Sequence, residues 1–133
     1  AVMPVEITIL AWGMILLLVH IFAAGHAKTK QYGPKWNMGA RDESLPPLNP
    51  VAGRLCRAEA NYRETLPLAI VALLGVVLAG RTSEWTALGG WIWLGARIVY
   101  LPLYAFGIPV ARSIIFLASL AGLLIVLWPL LGL

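Results

Sequence analysis

The sequence predicts an all-α integral membrane protein: a single domain over residues 1–133, folded as a four-transmembrane-helix up-down bundle. Three observations predict it. Hydrophobic residues make up 60% of the chain and charged residues only 12%, with mean hydropathy +0.83; a soluble domain carries about 25% charged residues, and a core this small cannot hide so much apolar surface from water. The apolar residues fall into long runs separated by short turn signals. The basic residues crowd into one connecting loop and the helix start that follows it, the pattern of a cytoplasmic loop. The formal charge of +4 and pI near 9.6 are therefore read as topology, and no nucleic-acid partner is expected.

The first run, 5–24 (VEITILAWGMILLLVHIFAA), is of spanning length. It lacks a basic leader and a clear small-residue cleavage site, so it is expected to be a retained span. Residues 25–50 carry Lys28, Lys30, Lys35, Arg41, Asp42 and Glu43 among Gly, Asn and four Pro. That composition predicts an extended loop whose second half is closed to helix.

The second run, 66–80, is 15 residues long. At 1.5 Å per residue it reaches about 22 Å, short of a hydrocarbon core of roughly 30 Å. The helix must start earlier, so "GRLCRAEANYRETLPL" supplies its first turns and the span covers 53–80. "GRTSE" (80–84) turns the chain into a third span, 85–106, with Arg97 well inside it. "GIP" (107–109) leads to a fourth, 110–131, which opens with Arg112 and Ser113. This order puts the 25–50 loop, the 107–109 turn and Arg112 on one side, the cytoplasmic one, with both termini facing out. The lone Cys56 rules out an intramolecular disulfide. No catalytic triad, metal-ligand spacing, P-loop or dinucleotide fingerprint is present.

At 100° per residue, Arg54, Arg57, Asn61 and Glu64 fall within an arc of about 80° on the second span, with Glu59 and Arg63 opposite. Two guanidiniums, an amide and a carboxylate in a row can grip a zwitterion, since guanidinium forks bind carboxylates and Glu accepts an ammonium. Trp93, Arg97, Tyr100 and Tyr104 form a second stripe, at i, i+4, i+7 and i+11. An arginine midway along a span costs roughly 2.5–3.5 kcal/mol and requires a partner, for which Glu64 is the expected candidate. Pro102 offers a kink beside Tyr104. Arg112 is placed to favour a thiolate, and a Ser113 or Tyr hydroxyl to donate to sulfur. Each feature also has a plainer role. Arg54 and Arg63 serve as interface anchors, Arg97 and Glu64 as a structural pair, the tyrosines as interface aromatics, His20 as a packed histidine and Cys56 as a small core residue.

"RLCRAEANYRETLPL" resembles the Arg-x-x-Arg-Ala-x-x-Asn-x-x-Glu signature of the MAPEG family, membrane-associated proteins in eicosanoid and glutathione metabolism; Arg54, Arg57, Ala58, Asn61 and Glu64 carry it. "ARIVYLPLYAFGIPVARS" is similar to the third-helix end and fourth-helix start of the family's cysteinyl-leukotriene and prostaglandin E synthases. The resemblance implies a homotrimer with glutathione as cosubstrate, bound between subunits near the cytoplasmic side. It implies ligand contacts from Arg57, Asn61, Glu64, Arg97, Tyr100 and Tyr104, and catalytic roles for Arg112, which holds the sulfur as thiolate, and Ser113. The reaction it implies is attack of that thiolate on a small hydrophobic electrophile arriving through the lipid bilayer. Thr65 and Glu59 depart from the leukotriene enzyme, which has Tyr and Gln there. The 25–50 loop looks more like bacterial members, which implies a bacterial inner membrane. The family also holds non-catalytic members, so the alternative is a protein that binds a lipid or serves as an accessory subunit.

Overall fold

The computed structural model describes residues 2–132, and they are helical apart from short connections. The elements are α1 (Val5–Tyr32), α2 (Pro34–Met38), α3 (Pro50–Leu78), α4 (Glu84–Ala105), α5 (Pro109–Leu127) and a terminal 3₁₀ turn (Trp128–Leu131). Three helices, Val5–Tyr32, Pro50–Leu78 and Pro109–Leu131, are long and apolar enough to cross a membrane. α4, which carries Arg97 within it, is not among these three. Large apolar side chains such as Phe22, Val71, Ile98 and Leu117 point outward, a surface suited to lipid rather than water.

The helix ends follow from local chemistry. Asn49 caps α3, its side chain accepting from Ala52 N at 2.9 Å, and Pro50 occupies the first turn, where no donor is needed. Gly80, at φ +67°, closes α3: Gly80 N donates to Val77 O and Arg81 N to Val76 O. Ser83 and Thr86 form a reciprocal capping box on α4. Gly107, at φ +72°, ends α4 as Gly80 ends α3, with Ile108 N donating to Leu103 O.

The polar stretch 53–64 lies inside α3, as the length shortfall of the apolar run required. The extended loop expected over 25–50 is shorter than that. Residues 25–32 (GHAKTKQY) continue α1, because Ala, Lys and Gln favour helix and nothing interrupts it before Gly33-Pro34. Trp36 and its neighbours add a second, five-residue helix, α2. The prolines at 46 and 47 hold the remainder extended. Tyr32 donates to Pro46 O at 2.6 Å, and Gln31 to Pro47 O at 3.0 Å.

The most extensive helix contacts are α4 with α5 and α1 with α3. Where α4 and α5 cross, Gly89 and Gly122 let the two backbones touch: a Cβ on Gly122 would stand 2.5 Å from Gly89 O. Across α1 and α3, the Tyr62 hydroxyl donates to Gly13 O at 2.5 Å, and its ring stacks on His20 and Trp93. Buried Glu6 accepts from Thr86 Oγ1 at 2.7 Å, tying the start of α1 to that of α4. Tyr62→Phe is expected to lower stability in detergent by about 1 kcal/mol, the worth of one buried hydrogen bond. Its effect is read as a fall in the thermal unfolding midpoint.

Candidate functional site

The polar faces of α3, α4 and α5 meet at one end of the helices. Arg54 and Arg57 come from the first turns of α3, Tyr104 from the last turn of α4, and Arg112 from the first turn of α5. Together with Gly107 and Pro109 they line a pocket of about 200 Å³. The glycine-ended turn 106–108 brings Tyr104 and Arg112 onto it together. Arg57 Nε donates to the Tyr104 hydroxyl at 3.2 Å, and the Arg112 guanidinium lies over the same ring, 4.6 Å from its centre. Arg54 Nε donates to Ala105 O at 3.0 Å, neutralising the carbonyl end of α4. No carboxylate balances these three cations: the one ion pair among the described residues is Glu59–Arg63, at 3.5 Å on another face. The pocket is therefore positively charged, with a phenol at its centre.

The remaining predicted residues divide by depth. Arg97 is fully buried, and its Nη1 donates to Asn61 Oδ1 at 2.7 Å. Its guanidinium sits among rings, 4.2 Å from Tyr100, 5.0 Å from Tyr62 and 5.8 Å from Phe116. The pairing expected with Glu64 is absent, because Asn61 meets the guanidinium first and Glu64 lies one turn further on, exposed and without an ion pair among the described residues. Tyr100 is also buried and touches Tyr104 edge-on at 5.6 Å. Ser113 is exposed, and its hydroxyl donates back to Pro109 O at 3.3 Å. Glu59 points away from the pocket, as its helical position predicted. α4 runs unbroken through Pro102.

Sequence reasoning missed Tyr62 and Phe116 as walls of the arginine cage, and it left His20 without a neighbour. Tyr62 sits about 100° around α3 from Asn61. That offset, beside an unpaired buried arginine on another helix, is the signal that would have found it.

The MAPEG family model matches residues 7–132. The chain belongs to the MAPEG family. No match was found among curated proteins or among solved structures. As a MAPEG member with three apolar helices of spanning length, it is an integral membrane protein. Its signature arginine Arg57 lines the pocket, and Asn61 follows one turn later on α3. No group of His, Cys, Asp and Glu among the described residues is suited to a metal ion.

Proposed function

We propose that the protein is a membrane-bound glutathione transferase or peroxidase that delivers a glutathione thiolate to small hydrophobic electrophiles. The observation that carries this reading is the pocket of Arg54, Arg57, Tyr104 and Arg112, with three guanidiniums and no carboxylate to neutralise them. Glutathione brings two carboxylates and an ionisable thiol, which together match that surplus of positive charge.

Arg54 and Arg57 bind carboxylate, Glu64 accepts the ammonium, and Arg112 holds the sulfur. A guanidinium beside a thiol favours the thiolate, the nucleophilic form. The Tyr104 hydroxyl, which accepts from Arg57, is free to donate its own proton to that sulfur, and Ser113 can turn from Pro109 to add a second donor. The thiolate then attacks the electrophile's carbon, and a leaving group departs with the bonding pair. With a hydroperoxide, the thiolate attacks the terminal oxygen, the O–O bond breaks, and the alkoxide leaves and takes up a proton to become the alcohol. A second glutathione reduces the resulting sulfenic acid to the disulfide and water.

The pocket of one chain, about 200 Å³, is smaller than the roughly 300–1,000 Å³ of a complete ligand site. A homotrimer in which a neighbouring copy covers the open side, beside exposed Glu64, completes it. In this arrangement α4 crosses the membrane as the fourth span, and the arginine-rich end faces the cytoplasm.

The test is direct. Purified protein is expected to consume glutathione with chlorodinitrobenzene above background and to bind glutathione in a calorimetric titration. Neither thiol consumption nor binding heat would overturn the reading.

A second reading is favoured by one observation: Arg54, Arg57 and Arg97 already have partners within the chain. On that reading the cluster is structural or holds a lipid. Asn61→Ala and Tyr104→Phe would then weaken the assembly, and added glutathione would change nothing.

A further inference from the structure

The orientation of one amide fixes what the site can accept beside the arginines. A guanidinium has donors and no acceptor, so the 2.7 Å bond from Arg97 Nη1 can only end on the oxygen of Asn61. Oδ1 is therefore held inward, toward α4. The amide nitrogen, Nδ2, is the opposite end of that amide; Asn61 is partly exposed, and Nδ2 is not among the buried side-chain atoms left without a partner in the described residues. Asn61 stands one turn beyond Arg57 on the same face of α3; Arg57 lines the pocket, and Asn61 lies just past its lining.

Arg97 cannot itself reach a ligand from that surface, since it is fully buried. Its charge is stabilised by the faces of Tyr62, Tyr100 and Phe116 rather than by a carboxylate. These rings come from α3, α4 and α5, so three helices fix the guanidinium in place.

We propose that Arg97 is a positioning residue, which acts by locking the Asn61 amide with its NH₂ toward the ligand, so that this part of the site selects hydrogen-bond acceptors and rejects ammonium groups. The inference rests on the glutathione reading for the identity of the ligand. The group meeting Asn61 is then a carboxylate or peptide carbonyl of the tripeptide, and the ammonium lies elsewhere, at Glu64.

Asn61→Asp tests the donor directly. The carboxylate still pairs with Arg97, so the thermal midpoint holds or rises, but it presents an acceptor to the ligand. The dissociation constant for glutathione, read by calorimetry, is expected to rise about tenfold or more, as for a lost hydrogen bond to a charged group. An unchanged or tighter constant would overturn the proposal, because an amide oxygen facing an ammonium is well replaced by a carboxylate. Arg97→Lys, which still donates to Oδ1, is expected to bind more tightly than Arg97→Met, which releases the amide; equal constants would make Arg97 mere packing.

A second measurement does not depend on glutathione. In protein with isotopically labelled asparagine, the Asn61 NH₂ protons are expected to exchange readily with water by NMR. Protected NH₂ protons would overturn the orientation. If the wild type fails to bind glutathione, the proposed function falls and this readout still decides the role of Arg97.

Discussion

Arg112→Ala is expected to lower kcat for glutathione conjugation by roughly 10²–10³-fold, the usual cost of removing one donor aimed at developing or stored negative charge. KM should change far less, because Arg54 and Arg57 remain to hold the carboxylates. Arg112 has no ion-pair partner among the described residues and stands over the Tyr104 ring at 4.6 Å. Its removal therefore strands no buried charge, and the thermal midpoint should stay close to wild type. The pH profile separates a thiolate role from a binding role. A nearby cation favours the charged thiolate and lowers the thiol's pKa, so the wild-type rate should level off before the ordinary thiol value of about 8.5. Without Arg112 the rate should keep rising through that value. A variant with the same plateau pH and full kcat would remove the sulfur from Arg112.

Gly122→Val is expected to be the most destabilising of the substitutions considered, by about 3 kcal/mol, near the upper end of overpacking costs. A Cβ on Gly122 would lie 2.5 Å from Gly89 O and 2.8 Å from Trp93 N, and both are backbone atoms that cannot turn aside. The added side chain must push α5 off α4 along their most extensive contact. α5 carries Arg112 and α4 carries Tyr104, so glutathione binding should weaken together with stability. Gly95→Ala is the control: it lies in the same α4, but a Cβ there meets nothing within 4 Å. Replacing an open helical glycine by alanine should be neutral or stabilising by up to about 1 kcal/mol. Thermal unfolding in detergent distinguishes the two, and equal midpoints would contradict the close crossing of α4 and α5.

Much of the fold was legible in the sequence because its determinants are local. The turns at Gly80 and Gly107 are written in residues that have few alternative uses, whereas the Asn49-Pro50 start of α3 lies three residues before the expected start at 53. The shortness of the 15-residue second apolar run was enough to draw Arg54–Glu64 into α3. The end of α1 was less legible, since lysines in "GHAKTKQY" suit a solvated helical turn as well as a loop. The stripe Trp93, Arg97, Tyr100, Tyr104 was visible as one face, but periodicity does not say how deep a face lies. In the fold its first three members are buried, and only Tyr104 reaches the pocket. The partner of Arg97 was a question of reach between two helices, which spacing along one of them cannot answer. Asn61 rather than Glu64 meets it because of how α3 is rotated about its own axis against α4. Tyr62 was hidden for the same reason.

The central claim is that the arginine pocket holds glutathione as its thiolate, and an ultraviolet difference spectrum tests it in one step. Titrating glutathione into the protein at neutral pH is expected to produce a saturable thiolate absorbance, over a constant background from Cys56. The same titration of Arg112→Ala should give binding heat without that absorbance. Saturating glutathione with no thiolate band in the wild type, or an undiminished band in Arg112→Ala, would contradict the account.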